Sequence, residues 1–282
     1  MFGREKCYSR RFGWLYRLGH WLGGDLNFGG RLRAQHVLRA VERLPLEGAR
    51  ILDAGSGDGC YVFALARQHP TAQIVGVEID REKVTDCGYI NRRLRLPNAH
   101  FVRGDLTHLP FREQFEVIIC SDVLEHIPDD RAALRNLLAA LKPGGRLVLH
   151  APGPNEDKHF WMRKDTPLSR FAHRLYQCWY RRHVRGKSEY YFDARPGYPR
   201  AQLLALLQQT GFVVEWVKPT LGPWGYWAFA IFKMSRLFLP VYLLLFPLLL
   251  ALGWKDVVGH NEDGFSHLIK AHRPLSAEPR RS

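Results

Sequence analysis

The sequence predicts an α/β fold, a mostly parallel sheet with helices on both faces, and three observations predict it. Apolar strand-like runs alternate with helical runs from residue 51 to residue 157, the pattern of a sheet buried on both sides. The first run, Ile51–Leu52, enters Asp53, and glycines then stand at every second position: Gly55, Gly57 and Gly59. The strand ends carry Asp53, Glu78, Asp105 and Ser121–Asp122. In a parallel sheet these line one crevice at the carboxyl edge, where ligands bind.

The elements follow in order. Residues 1–30 interleave Phe12, Trp14, Leu15, Leu18, Trp21 and Leu22 with Arg10, Arg11, Arg17 and His20. This amphipathic pattern suits either a bilayer interface or a lid packed on the domain. A helix from about Gly30 to Leu44 leads into the first strand. After the glycine turn, Tyr61 to Ala66 opens a helix and Gln73 to Val77 forms a strand ending at Glu78. A helix is expected at Arg81–Leu94, and Asn98–Arg103 gives a strand ending at Gly104–Asp105. FEVIIC, Phe115 to Cys120, is the fourth strand. Asp129 to Leu141 is a helix with an acidic start, which suits its dipole. Lys142–Pro143–Gly144–Gly145 is expected to stop it, and Arg146–Ala151 is the fifth strand. Pro199 to Thr210 is a helix capped by Gly211, and Phe212 to Val217 the sixth strand.

Composition narrows the partners. The net charge of +14 is uneven: residues 1–50 carry ten Lys/Arg against four Asp/Glu, and residues 158–200 eleven against three. Residues 51–157 carry twelve against fifteen. The basic excess therefore flanks the crevice and implies an anionic partner. The five cysteines include no Cys-x-x-Cys pair, which argues against a zinc ribbon or disulfide framework and for a reducing cytoplasm. No His/Cys/Asp cluster has metal spacing, so no metal is expected. The apolar residues at the N-terminus are interrupted by charge, which does not make a signal peptide.

The crevice residues suggest a cofactor. The glycines let a ligand lie against the backbone. Glu78, 23 positions after Gly55, stands where a ribose-binding acid belongs. Asp105 could accept from an adenine amine, or serve only its Gly-Asp turn. The spacing is G-x-G-x-G, which is not the dehydrogenase fingerprint, and no Walker lysine follows.

ILDAGSGDG, VGVEID, GDLTHLPF, FEVIICSDVLEHIPD and LKPGGRLVLHAPGP, in that order, resemble the successive motifs of class I S-adenosylmethionine-dependent methyltransferases. More narrowly they resemble the small-molecule branch with quinone, sterol and other lipid-pathway enzymes. The resemblance is dense over residues 48–155. It implies a Rossmann-like seven-stranded sheet, mostly parallel, with an antiparallel last strand at Gly264–His272. It implies that Asp53, Ala54, Gly55, Ser56, Gly57 and Gly59 wrap the methionine part of S-adenosyl-L-methionine. Glu78 and Ile79 would serve the ribose, Asp105 and Leu106 the adenine, and Ser121 the sulfonium side. Asp122, Glu125, His126 and His150, at the crevice mouth, are candidates for a general base, with a structural role for Glu125–His126 as the alternative. The segment 158–198, with Arg181, Arg182, His183, Arg185 and Lys187, takes the place of an acceptor-side lid.

Residues 221–255 set this chain apart. Leu237 to Trp254 runs 18 residues without a charge, long enough for one span. Lying between the sixth and seventh strands, the block must start and end on one side of a membrane. Pro240 and Pro247 break helical bonding, so two short helices dipping into one leaflet are expected. Tyr226, Trp227 and Trp254 would sit at the interface, with Lys233 and Arg236 reaching phosphates. The alternative is a hairpin buried on the core or between two copies. Residues 274–282 read as a disordered tail.

The expectation is a methyltransferase monotopic on the cytoplasmic side of the cell membrane, acting on a small-molecule or lipid-linked acceptor beside an anionic membrane surface. Nucleic-acid modification is disfavoured, because no acceptor motif or RNA-binding module accompanies the basic segments. A non-catalytic scaffold would not need the glycines and carboxylates.

Overall fold

The computed structural model describes residues 3–23, 27–154, 194–235 and 239–275. Seven strands form one sheet: β1 (Arg50–Ala54), β2 (Gln73–Glu78), β3 (Ala99–Arg103), β4 (Phe115–Ser121), β5 (Leu141–Pro152), β6 (Val213–Thr220) and β7 (Ser266–His272). Their order is β3-β2-β1-β4-β5-β7-β6. All neighbouring pairs from β3 to β5 are parallel, and β7 runs antiparallel to both β5 and β6.

Helices cover both faces. On one face lie α2 (Phe28–Val41) and α3 (Cys60–Gln68), packing Val37, Val41, Val62 and Leu65 on Ile51, Ile74, Val117 and Val148. On the other lie α5 (Asp130–Ala140) and α6 (Arg200–Thr210), packing Leu134, Leu137, Leu203 and Leu207 on Leu52, Ile118, Leu147 and Ile269. Alternate side chains of each central strand thus enter opposite cores. Helix α4 (Arg81–Leu94) starts where Asp80 accepts from the N–H groups of Glu82 and Lys83, at 2.8 and 3.4 Å. Gly211, with φ +100°, ends α6.

Two expectations change, and of the two readings of the N-terminal segment the structure shows the packed one. The Lys142–Gly145 segment does not precede β5 but belongs to it. Gly144 donates to Arg273 O at 3.0 Å, Gly145 O accepts from Arg273 N at 2.9 Å, and a register shift opposite Phe115–Val117 absorbs the turn. The N-terminal segment packs on the domain: a short 3-10 turn at Arg4–Tyr8 precedes α1 (Trp14–Gly23), whose outer face leaves Trp14 and Trp21 exposed. The apolar insertion forms two helices, α7 (Pro223–Ser235) and α8 (Leu239–Val258), but the break falls between them, not at Pro247. Pro240 is in the first turn of α8, where a missing N–H costs little. Pro247 lies on the exposed face, so its lost bond faces outward.

The α7–α8 hairpin begins after Thr220 and ends before Ser266, residues paired across β6 and β7, so both its ends sit at the carboxyl edge. One buried carboxylate ties it down. Asp256 accepts from His36 Nε2 at 2.8 Å, Leu221 N at 3.1 Å, Gly225 N at 3.0 Å and Asn261 Nδ2 at 3.3 Å. Burial chiefly lowers the His36 pKa despite Asp256, so the ring donates as the neutral form. A Cβ on Gly225 would stand 2.8 Å from that carboxylate. Phe28 and Leu32 of α2 pack with Phe232 of α7 and Leu249 of α8. No helix among the described residues is long and apolar enough to cross a membrane.

The expected lid residues, Arg181, Arg182, His183, Arg185 and Lys187, lie outside the described residues, as does most of the expected tail. Nothing is described of the Lys233 and Arg236 side chains.

Candidate active site

The turn after β1 forms a cradle. Gly55, Gly57 and Gly59 have φ of +81°, +55° and +74°, conformations that favour glycine. A Cβ on Gly55 would meet Val123 at 2.4 Å, whereas one on Gly57 would meet nothing within 4 Å. The backbone over Gly57 is thus open to a ligand. Beside it, Glu78 Oε2 accepts from Gly57 N at 2.8 Å and Oε1 from Asp80 N at 3.0 Å, which fixes the carboxylate at the end of β2.

Asp53 is almost fully buried, and its Oδ2 has no hydrogen-bond partner among the described residues. Burial, and then the neighbouring Glu78 charge, push its carboxyl up to about 8. A buried carboxyl with an orphaned oxygen is a seat for a cationic group. Ser56, later in the turn, has a buried Oγ without a hydrogen-bond partner among the described residues.

Asp105 caps the short turn at Leu106–His108, accepting from Thr107 N and Oγ1 at 2.8 Å each. Burial acts to raise its carboxyl, but these bonds outweigh it and hold the group below its ordinary value. One oxygen is therefore committed to the turn. The Leu106 side chain points into the core, so only its backbone can face the crevice. Ile79 is half-buried, its carbonyl accepting from Arg103 Nε at 3.2 Å.

A second cluster occupies the end of β4. Ser121 Oγ lies 3.1 Å from Tyr61 Oη, at the start of α3. Asp122 has φ +51°, an unusual conformation for a non-glycine residue. Its Oδ1 is 2.5 Å from His150 Nδ1, and its Oδ2 pairs with the Arg33 guanidinium of α2. His150 Nε2 is 3.0 Å from Thr220 Oγ1. Burial would raise the Asp122 carboxyl, but the Arg33 and His150 charges outweigh it and hold it well below the carboxylate range.

This ranks the base candidates. Asp122 is a poor proton acceptor. His150 is sealed inside the fold with both ring nitrogens engaged. Glu125 is buried, while His126 is half-buried at the mouth. The structure assembles Asp122 and His150 into one brace. Arg33 and Thr220 are its unforeseen members, and Tyr61, against the adjacent Ser121, was unforeseen as well. Only Tyr61 carried a sequence signal, two residues beyond Gly59.

Past Thr220 the carboxyl edge opens into a cleft of about 730 Å³, lined by Leu221, Tyr226, Trp227, Phe265, Arg200 and His267 among others. Among the described residues no group of three or more His, Cys, Asp or Glu could hold a metal ion.

The sequence model of the methyltransferase domain family matches residues 45–192. The chain belongs to that family.

This methyltransferase is 27% identical over 188 residues to the trans-aconitate 2-methyltransferase of Rhodopseudomonas palustris, covering 64% of this chain and 72% of the relative. It is 30% identical over 128 residues to the ubiquinone biosynthesis O-methyltransferase of Coxiella burnetii, covering 43% and 53%. Among solved structures it resembles the cyclase SpnF, with TM-score 0.54 at 19% identity over 87% of this chain and 80% of that one. It also resembles the CurJ carbon methyltransferase, with TM-score 0.54 at 16% identity over 92% and 58%. These likenesses show the fold, and fold alone does not fix a reaction.

The methyl donor is S-adenosylmethionine. The residues present fit it. The open backbone at Gly57 and the orphaned Asp53 oxygen suit a ligand that carries an ammonium group. Asp53 and the turn would hold its methionine end, Glu78 the ribose and the Asp105–Leu106 turn the adenine.

Proposed function

We propose that the methyltransferase takes its acceptor from a bilayer: a lipid or lipid-linked small molecule, methylated at the cytoplasmic face of the cell membrane. One observation carries this reading. Helix α8 buries Leu249, Gly253 and Asp256 on one side and exposes Val241, Leu244, Leu248 and Trp254 on the other, with Leu244 79% exposed. Trp224 and Trp227 of α7 are also exposed. A contiguous exposed apolar face marks an interaction surface, and rings at its border suit the headgroup layer. Lys255 Nζ lies 4.3 Å from the centre of the Trp224 ring, and the Arg31 guanidinium 5.5 Å from that of Phe246. Cations at this border complement anionic headgroups.

The cleft wall is continuous in sequence with the brace. Trp227 belongs both to the exposed face and to the wall of the 730 Å³ cleft. Leu221 lines that cleft, and its neighbour Thr220 contacts His150 of the brace. An acceptor leaving the bilayer along α7 would meet the cleft first and the Ser121–Tyr61 hydroxyls next. The names of the relatives span trans-aconitate and ubiquinone biosynthesis, so the acceptor class is argued from this chain's own surface.

When bound, S-adenosylmethionine supplies a methyl group already activated on sulfur. The protein's part is positioning and exclusion of water. Tyr61 and Ser121 offer hydroxyls to orient the acceptor. Arg33, Asp122, His150 and Thr220 hold the ends of α2, β4, β5 and β6 in register.

Flotation with vesicles of phosphatidylglycerol and phosphatidylethanolamine tests the reading. The wild-type chain should float with the vesicles, and a Trp224→Ala/Trp227→Ala/Leu244→Ser variant should stay behind. A wild-type chain that remains in solution, or that hides this face in a homodimer, would overturn it.

A further inference from the structure

The N-terminal strap grips the cofactor cradle at several points. Lys6 Nζ and Arg11 Nη1 lie 3.4 and 3.0 Å from the carboxylate of Asp58, the residue between Gly57 and Gly59. Glu5, buried, pairs with Arg67 of α3 at 3.2 Å. Ser9 Oγ is 2.5 Å from Asp86 Oδ2, and Arg10 N donates to Asp86 Oδ1 at 2.8 Å, both on α4. The Arg10 guanidinium stands 3.7 Å from the centre of the Tyr89 ring. The strap thus bridges the glycine turn and the two helices that flank it.

The same strap is continuous with α1. Arg17 Nε donates to Cys7 O at 2.7 Å, and the Tyr16 ring lies tilted against Phe12 and edge-on to His20, with centres 4.5 Å apart in each pair. Tyr16 and His20 lie on the inner face of α1. The outer face presents Trp14, Leu18 and Trp21, spaced four and three residues apart, all exposed. Residues 3–23 contain five Lys/Arg and one acid, the buried Glu5. The charge is what an anionic bilayer attracts, and Arg4 lies over Trp21 at 5.4 Å. Phe28, at the start of α2, packs on Phe232 of the hairpin with ring centres 6.0 Å apart. Five residue steps separate Gly23 from Phe28, so α1 ends within at most about 18 Å of this contact with the hairpin.

We infer that the strap couples membrane docking to methyl-donor binding: seating the α1 rings in an anionic bilayer steadies the Lys6/Arg11–Asp58 clamp and tightens the hold on S-adenosylmethionine. This rests on the membrane reading proposed above. A segment ordered by the first partner costs less to order for the second. The coupling must also be reciprocal, with S-adenosylmethionine tightening vesicle binding by the same factor.

The test is the Kd of S-adenosylmethionine, by calorimetry on the full chain, with and without vesicles of phosphatidylglycerol and phosphatidylethanolamine. Vesicles should tighten the wild-type Kd about fivefold or more. Trp14→Ala/Leu18→Ala/Trp21→Ala alters only exposed side chains; it should keep the vesicle-free Kd and lose the tightening. Lys6→Ala/Arg11→Ala should still float through its hairpin and also lose the tightening. Vesicle binding with an unchanged Kd would overturn the coupling while leaving the membrane reading intact. Absence of vesicle binding would overturn both. Tightening that survives in the Lys6→Ala/Arg11→Ala variant would remove the strap from the account.

Discussion

The two ends of the sheet are built by different means. At the β1–β2 end the cofactor cradle is local: Asp53, the three glycines and Glu78 fall within 26 residues, and their geometry follows from backbone conformation. At the β4–β5–β7–β6 end the structure is assembled from afar. Arg33 meets Asp122 across 89 positions, His150 meets Thr220 across 70, and His36 meets Asp256 across 220. The first region holds a donor common to many enzymes, so a short motif suffices. The second carries the proposed acceptor side, an inserted hairpin fastened by buried polar contacts.

Four perturbations separate the two regions, beginning with the largest effect. Asp256→Ala strands four buried donors around the hairpin root, and stability should fall by about 3–5 kcal/mol. Urea unfolding checks this, while the folded fraction should bind S-adenosylmethionine with its normal Kd. A cofactor affinity that falls in step with stability would show that the two ends are not separable. Gly57→Arg fills the open space over the cradle at φ +55°. Calorimetry should show cofactor affinity lost by about a hundredfold or more, with a shift of only a few degrees in Tm.

Asp122→Asn removes the charge that Arg33 and His150 share. The kcat should drop by about ten- to a hundredfold through misplaced elements, with the cofactor Kd within about twofold. Steady-state kinetics and calorimetry on the same variant decide it. The smallest effect is in pH. The Asp53 carboxyl, pushed up to about 8 by burial and Glu78, is protonated in the free protein at neutral pH. A bound ammonium favours its ionised form, so binding releases a proton and affinity should rise with pH. The slope should approach about tenfold per unit between roughly pH 5 and 7. In Asp53→Asn that slope should vanish.

Legibility in the sequence followed the same division. The strand and helix order and the cradle were readable because each depends on nearby residues, whereas the antiparallel β7 was expected only from the family resemblance. The alternation of apolar runs marked the sheet, and Gly55, Gly57 and Gly59 marked the turn. Arg33 and Thr220 were not readable, because nothing local distinguishes an arginine on α2 or a threonine ending β6 from its neighbours. The Asp122–His150 contact joins two named candidates in a role neither suggested alone, a buried brace between β4 and β5. Pro247 misled for a related reason. Its local preference is to break a helix, but the contacts of α8 with α2 and α7 hold the helix through it. The Lys142–Gly145 segment misled likewise, since its sheet bonds come from Arg273, 128 positions beyond Gly145.

The most direct test of the account follows the methyl group itself. Purified protein would be incubated with S-adenosylmethionine bearing a deuterated methyl group and with vesicles made from extracted cell membranes, and lipid and aqueous phases then analysed by mass spectrometry. The account predicts the label in a lipid-phase product, lost in Gly57→Arg and sharply reduced in Trp224→Ala/Trp227→Ala/Leu244→Ser. Label found only on a water-soluble product, at the same rate with or without vesicles, would contradict it.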